Sequence, residues 1–145
     1  MSTTKQTLTM TRGIALFAGL LLLTGCGSNN GLNAVHGRVE LAGGDASLLA
    51  GHNVEAALES NPNVRAYGAV APDGSFKLES LINGKVQTGA QQGNYKVRVV
   101  LGDEDPAQTK LVASKIDPRH LRFETSGVAL QVPSHDIVLR LQGRK

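Results

Sequence analysis

Apolar and polar residues alternate along most of the chain, and this two-residue period restricts the possible fold more than any other feature of the sequence. It is the period of a β-strand with one buried face, because successive side chains of a strand point to opposite sides of the sheet. Val35, Val39 and Leu41, for example, share one side of such a strand, whereas Arg38 and Glu40 share the other. The same pattern occurs in six further segments, which are 54–59, 66–70, 75–79, 95–101, 128–132 and 137–142. The sequence therefore predicts about seven strands and an all-β fold.

Glycine, proline and asparagine separate the predicted strands, as in an antiparallel β-sandwich. The sharpest turn signal is Pro72-Asp73-Gly74, because Pro72 fixes φ at the first turn position, Asp73 suits the second and Gly74 allows a positive φ. These three structural turn residues predict a hairpin that joins 66–70 to 75–79. The chain contains one cysteine, so the antiparallel seven-stranded sandwich is expected to form without an intrachain disulfide.

Two longer segments lack a clear strand pattern. Segment 83–93 is predicted to be a loop. Segment 102–127 has 26 residues and no convincing helical stripe, although 112–116 could form one helical turn before Pro118. Connections of this length are uncommon inside compact domains and are often functional.

Segment 102–127 has acidic residues at 103–105, followed by basic and apolar residues. We predict that Arg119, Arg122 and Phe123 contact a partner, because loops held by a rigid scaffold commonly carry binding residues. The alternative is that the apolar residues of the segment cover one edge of the sheet. Adjacent carboxylates at 103–105 could attract Ca²⁺, but such a run is more often only solvated, and no metal site is predicted.

The first part of the chain has the organisation of a secretory signal. Segment 1–12 carries Lys5 and Arg12 and no acidic residue, and the eleven residues of 13–23 are apolar. As a helix this apolar run would be about 16 Å long, too short to span a bilayer core of about 30 Å. It is typical of a signal peptide. Without Lys5 and Arg12 the net charge is +1, and aromatic residues make up only 3% of the chain, so a nucleic-acid partner is not expected.

The end of this leader, Leu23-Thr24-Gly25-Cys26, resembles the lipobox of bacterial lipoproteins. The resemblance implies that Cys26 receives a diacylglyceryl thioether, that the peptide is cut before it, and that the new amine is acylated with a chain such as palmitate. The alternative is a free thiol beside an ordinary signal site. Position 27 is Gly and not Asp, which favours the outer membrane, with the protein facing the periplasm or the cell surface. We therefore expect three parts: a lipoprotein signal peptide (1–25), a lipidated Cys with a flexible tether (26–33) and a β-sandwich domain (34–142).

The spacing of several residues in the predicted domain is similar to that of a known family. The motifs are Val35-x-Gly37-x-Val39, Gly68-x-x-x-x-Asp73-Gly74-x-Phe76-x-Leu78 and Gly93-x-Tyr95-x-Val97-x-Val99. They resemble the carboxypeptidase regulatory-like domain, a transthyretin-like β-sandwich, and the chain is similar to small lipoproteins of planctomycete-type bacteria that carry it. In related proteins such domains are accessory, supporting or binding modules. The resemblance therefore implies no catalytic residue and no cofactor.

The histidines and serines do not form a recognisable catalytic motif. His36 is predicted on the solvent face of a strand, and His52, His120 and His135 in loops, without metal-ligand spacing. Transthyretin-like hydrolases of purine breakdown end in Tyr-Arg-Gly-Ser, whereas this chain ends in Leu-Gln-Gly-Arg-Lys. The predicted function is a non-enzymatic, lipid-anchored module of the cell envelope with a protein or polysaccharide partner. The alternatives are an accessory module of an exported enzyme or transport complex and, last, a hydrolase.

Overall fold

The structure is a computed structural model, and it describes residues 31–145. Its strands are β1 (Leu32–Asn33), β2 (His36–Ala42), β3 (Asn53–Leu58), β4 (Asn61–Ala69), β5 (Ser75–Lys77), β6 (Glu79–Ile82), β7 (Lys85–Thr88), β8 (Ala90–Gln91), β9 (Gly93–Val100), β10 (Val128–Val132) and β11 (Ile137–Gln142). A helix, α1 (Pro106–Lys115), lies between β9 and β10. The strands form three sheets, in the orders β1-β8, β10-β9-β3-β4-β6-β7 and β11-β2-β5. The predicted all-β class is confirmed.

The side chains predicted to face inward form one hydrophobic core to which both larger sheets contribute. Val39 and Leu139 belong to the three-stranded sheet, Val54 and Val97 to the six-stranded sheet, and all four are buried. Tyr95, on β9, is fully buried as well. The alternation in the sequence therefore identified the core-facing side of each of these strands, although Glu55 and Ala57 on the opposite side of β3 are buried as well.

The predicted number of strands is wrong, because residues 31–145 contain eleven strands instead of seven. Part of the difference lies in 83–93, which was predicted to be a loop. Asn83 and Gly84 both have positive φ, 51° and 75°, and they connect β6 to β7 as a tight hairpin. The next residues form β8, which pairs with β1. The Asn83-Gly84 pair in segment 83–93 is therefore a hairpin turn between two short strands, and it does not begin an irregular loop.

The turn at Pro72-Asp73-Gly74 is confirmed, and the hairpin predicted around it is confirmed in part. Tyr67 pairs with Glu79 across the turn, and the Ala71 amide donates to the Ser75 carbonyl at 2.8 Å. The Gly74 amide donates to the Ala71 carbonyl at 2.9 Å, Gly74 has φ of +81°, and the Asp73 side chain accepts from the Ser75 amide at 2.9 Å. The strands on either side nevertheless belong to different sheets, because β4 pairs with β6 and β5 pairs with β2. The turn therefore carries the chain from the six-stranded to the three-stranded sheet.

The sheets are antiparallel with one exception, the parallel pair of β2 and β11. These strands are the first long strand and the last strand, so no short turn restricts their relative direction. Gly37 faces Ile137 in this pair, and a Cβ at position 37 would overlap the Ile137 carbonyl. The close approach of the two backbones at this point requires glycine.

Segment 102–127 contains more helix than the sequence predicted. Helix α1 begins after Asp105, whose carboxylate accepts from the amides of Ala107 and Gln108 at 2.9 and 3.1 Å, and Pro106 takes the first helical position. A 3-10 turn follows at Pro118–Leu121. The prediction of a single helical turn was wrong because α1 has no apolar stripe: Val112 is its one buried residue. The Asp-Pro start signal was present in the sequence.

Candidate functional site

A cleft of about 710 Å³ lies beside β2, β5 and the start of β11. We call it the basic cleft. Its polar lining consists of His36, Arg38, Ser75, Lys77 and Asp136. Its apolar lining consists of Gly37, Ala69, Ala71, Phe76, Ile137 and Val138. The turn at 72–74 positions one wall, because the residues on either side of it, at 71 and 75, both line the cleft.

The strand register explains why the polar side chains of the basic cleft lie together. His36 faces Lys77 and Arg38 faces Ser75 across the antiparallel pair of β2 and β5, so all four point away from the core. Directly opposed side chains on one face of a sheet lie about 5 Å apart at Cβ. Val138 on β11 faces Arg38 from the other side.

The positive charge of the basic cleft is only partly neutralised. The Glu40 carboxylate lies 3.0 Å from Arg38 and 3.3 Å from Arg140, and all three side chains are exposed. Exposed pairs of this kind contribute at most about 1 kcal/mol and are easily rearranged. Asp136 adds one acid to the lining, which also includes Arg38, Lys77 and His36. The arrangement suits an anionic group attached to an apolar or neutral body.

A second polar cluster lies on the outer face of the six-stranded sheet, and its central residue is buried. Its centre is Glu55, whose side chain is 3% exposed and is contacted at 2.6 Å by both Arg65 and Arg98. The ring of Phe123 covers the cluster, with the Arg98 and Arg65 guanidinium carbons 4.7 and 5.4 Å from its centroid. Cation–π contacts at these distances are attractive. The cluster therefore holds segment 102–127 against the sheet.

The structure separates the three residues predicted to contact a partner. Arg119 is exposed, with its guanidinium 3.6 Å from Asp117, and it borders a shallow pocket of about 390 Å³ together with Arg122 and Thr125. Phe123 does not line this pocket, since it packs on the arginines of the Glu55 cluster. The predicted contact stays a prediction, and its accessible part consists of Arg119 and Arg122.

The predicted lipobox residues Leu23, Thr24 and Gly25, together with Cys26, lie outside the described residues. The signal peptide and the first residues of the tether lie outside them as well. Within residues 31–145, no helix is long and apolar enough to cross a membrane. In the same range, no three His, Cys, Asp or Glu side chains are grouped as the ligands of a metal ion would be.

Two histidines predicted to lie in loops are buried, and they fix the ends of segment 102–127. His52 Nδ1 accepts from the Gly102 amide at 2.9 Å. His120, in the 3-10 turn, accepts from the Gln142 amide through Nε2 at 2.9 Å, while its Nδ1 lies 3.5 Å from the Ser126 hydroxyl. Burial lowers the pKa of both rings. No sequence signal marks these contacts, which join residues 22 and 50 positions apart.

These histidines give a prediction for the pH dependence of stability. Both folded-state pKa values are lowered, so the unfolded chain binds more protons, and stability falls as the pH decreases below about 6.5, the ordinary pKa of histidine. The measurement is urea unfolding of the full chain at pH 7.5 and at pH 5.5. His52→Asn with His120→Gln is the control, because each amide oxygen can accept the same hydrogen bond without titrating. A pH dependence of the same size in the double variant would contradict the prediction.

Comparison of the chain with protein-family models, with curated proteins and with solved structures found no match.

Proposed function

We propose that this protein is a non-enzymatic, lipid-anchored β-sandwich of the bacterial cell envelope, similar to the carboxypeptidase regulatory-like domain, that binds an anionic group of an envelope partner. The lipobox Leu23-Thr24-Gly25-Cys26 supports the anchor, and the outer membrane is the favoured location. One core shared by the three-stranded and six-stranded sheets supports the sandwich. The partner is a protein or a polysaccharide that carries carboxylate or phosphate groups.

The observation that carries the binding role is the basic cleft. Lys77, His36 and Arg38 lie side by side on two paired strands next to an apolar wall that includes Phe76. A guanidinium and an ammonium on a rigid sheet can each donate a charge-assisted hydrogen bond to an anion. We favour binding over turnover because the cleft presents two fixed cations, Arg38 and Lys77, beside apolar side chains.

Photo-crosslinking in native envelopes tests this proposal. A photo-reactive residue at Val138, in the cleft, is expected to capture the partner. Replacing Arg38 and Lys77 by Gln is expected to lower the yield about tenfold or more, since each charge-assisted hydrogen bond contributes about 1.5–3 kcal/mol. Both side chains point away from the core, so the melting curve should be preserved. Digestion of the adduct with protease or with periodate distinguishes a protein from a polysaccharide.

The matched control uses another exposed basic pair. Arg119→Gln with Arg122→Gln removes the same charge from segment 102–127, with a second photo-reactive probe at Thr125 beside it. If the cleft is the site, this pair leaves the Val138 adduct unchanged. An adduct formed only from Thr125, and lost in the Arg119/Arg122 variant, would move the partner contact to segment 102–127 and contradict the cleft assignment.

A further inference from the structure

One half of the outer face of the six-stranded sheet is uncovered and apolar. Segment 102–127 covers β3 and β9 through Phe123 and the 3-10 turn at Pro118–Leu121. On the other half, Tyr67 of β4, Leu81 of β6 and Val86 of β7 are 44%, 61% and 67% exposed. We call these three residues the hairpin patch.

The register places the three side chains of the hairpin patch on one face. Tyr67 faces Glu55 on one side and Glu79 on the other, so it shares the outer face with both. Leu81 lies two residues beyond Glu79 on the same strand and faces Val86 across the β6–β7 hairpin. The patch therefore extends from β4 to the edge of the sheet, with Leu81 and Val86 closest to the Asn83-Gly84 tip.

The first described strand enters the domain beside this hairpin. In β1, Leu32 pairs with Gln91 of β8, and β8 follows β7 after the single residue Gly89. Gly89 also donates to the Leu78 carbonyl at 2.8 Å, next to the start of β6. Val86 is five residues from Gln91, so their Cα atoms lie within about 18 Å of each other.

The length of the tether then restricts which side of the domain faces the membrane. Four residues lie between Cys26 and Gly31, and the five Cα–Cα steps that join the two residues reach at most about 18 Å when fully extended. A folded unit of the size of 31–145 is roughly 35 Å across. A bilayer that holds acyl chains on Cys26 must therefore pass close to the side at which β1 enters, which is the side of the β6–β7 hairpin.

The chemistry of the patch fits the lipid–water boundary. Tyrosine is enriched at this boundary because its ring is apolar and its hydroxyl is polar, and exposed Leu and Val side chains gain by leaving water. Lys85 lies beside the hairpin tip, where its charge attracts anionic head groups. Glu79 shares the face and lies opposite Tyr67, further from the tip than Leu81. A hairpin entering tip first therefore places the Glu79 carboxylate and the Tyr67 hydroxyl at the water side of the boundary.

We propose that the β6–β7 hairpin docks on the lipid bilayer through Tyr67, Leu81 and Val86, and that this second contact fixes the orientation of the domain on the membrane. The proposal rests on the lipid anchor of the proposed function. Its occupant is the bilayer itself, because the short tether keeps the side at which β1 enters close to a membrane.

The absence of tryptophan from the chain allows a direct test. Val86→Trp is prepared in the full, lipid-modified chain and reconstituted into phosphatidylethanolamine and phosphatidylglycerol vesicles that contain brominated lipid. A docked side chain lies about 5–10 Å into the head-group and acyl boundary and should lose about half of its emission to the bromines. Arg140→Trp, exposed on the three-stranded sheet, is the matched control and should keep its emission.

The possible results distinguish this proposal from the anchor. Equal emission of the two variants on vesicles that carry the floated protein would overturn the docked hairpin and leave the anchor intact. The emission of the Val86→Trp variant could instead shift with protein concentration and show no quenching by brominated lipid. This result would mean that the patch contacts a second copy of the chain, and it would also overturn the docked hairpin. A chain that carries no lipid and does not float would overturn both.

Discussion

Replacing Tyr95 by alanine is expected to lower the free energy of unfolding by about 3–5 kcal/mol, the range measured for the loss of a buried aromatic ring. Tyr95 is fully buried on β9, and it faces Leu58 on one side and Leu130 on the other within the six-stranded sheet. Both leucines are buried in the same core. The ring is thus enclosed by strands on both sides, and these strands cannot collapse into the cavity without losing their own pairing.

Tyr95→Phe is the matched control for this prediction. It keeps the ring and removes one hydrogen bond, in which the Tyr95 hydroxyl donates to the Gln91 carbonyl at 2.9 Å. Loss of such a bond is expected to cost about 1 kcal/mol. Urea unfolding of the full chain, followed by circular dichroism, measures both variants. Equal stabilities of Tyr95→Ala and the wild type would contradict the position of β9 at the centre of the core.

The strands could be predicted from the sequence because their information is local. Within five to seven residues, each alternating segment shows which of its two faces is apolar and which is polar. Phe76 and Leu78 are therefore recognisable as core residues without knowledge of the neighbouring strands. Both are buried. The turn at 72–74 is local in the same sense, since its conformation depends on the φ preferences of three residues.

Strand pairing could not be predicted in the same way. The turn at 72–74 is typical of a hairpin, yet β5 pairs with β2, which lies more than thirty residues earlier. The parallel partner of β2, which is β11, lies about one hundred residues later. Neither register leaves a trace in a single sequence, because it depends on which apolar faces meet in the core.

The candidate site was harder still to predict, since its residues belong to several elements. Glu55 alternates with apolar neighbours, as a residue on a solvent face would, but Phe123, 68 positions later in the sequence, covers the cluster around it. Burial of this carboxylate depends on the two guanidiniums that neutralise it. The basic cleft likewise combines residues of four strands, β2, β4, β5 and β11, and each of its polar residues on its own is an ordinary surface residue.

Replacing Cys26 by alanine is expected to release the mature chain from the membrane. The thioether sulfur implied by the lipobox has no substitute in this chain, which contains one cysteine. A single acyl chain gives only marginal membrane binding, and the further chains of a lipoprotein make it stable. In detergent phase partitioning, the wild type should enter the detergent phase and the processed variant the aqueous phase.

The N-terminal mass of the variant separates the two ways in which Cys26→Ala can act. If the leader is still removed, the loss of acyl mass and the move to the aqueous phase occur together. If cleavage requires the modified cysteine, the variant keeps its leader of 25 residues, and the apolar run of that leader retains the variant in the detergent phase. Ser28→Ala, two residues away, should be modified and cleaved like the wild type. A wild-type chain whose Cys26 carries no acyl mass would overturn the lipoprotein prediction, and with it the docking of the β6–β7 hairpin.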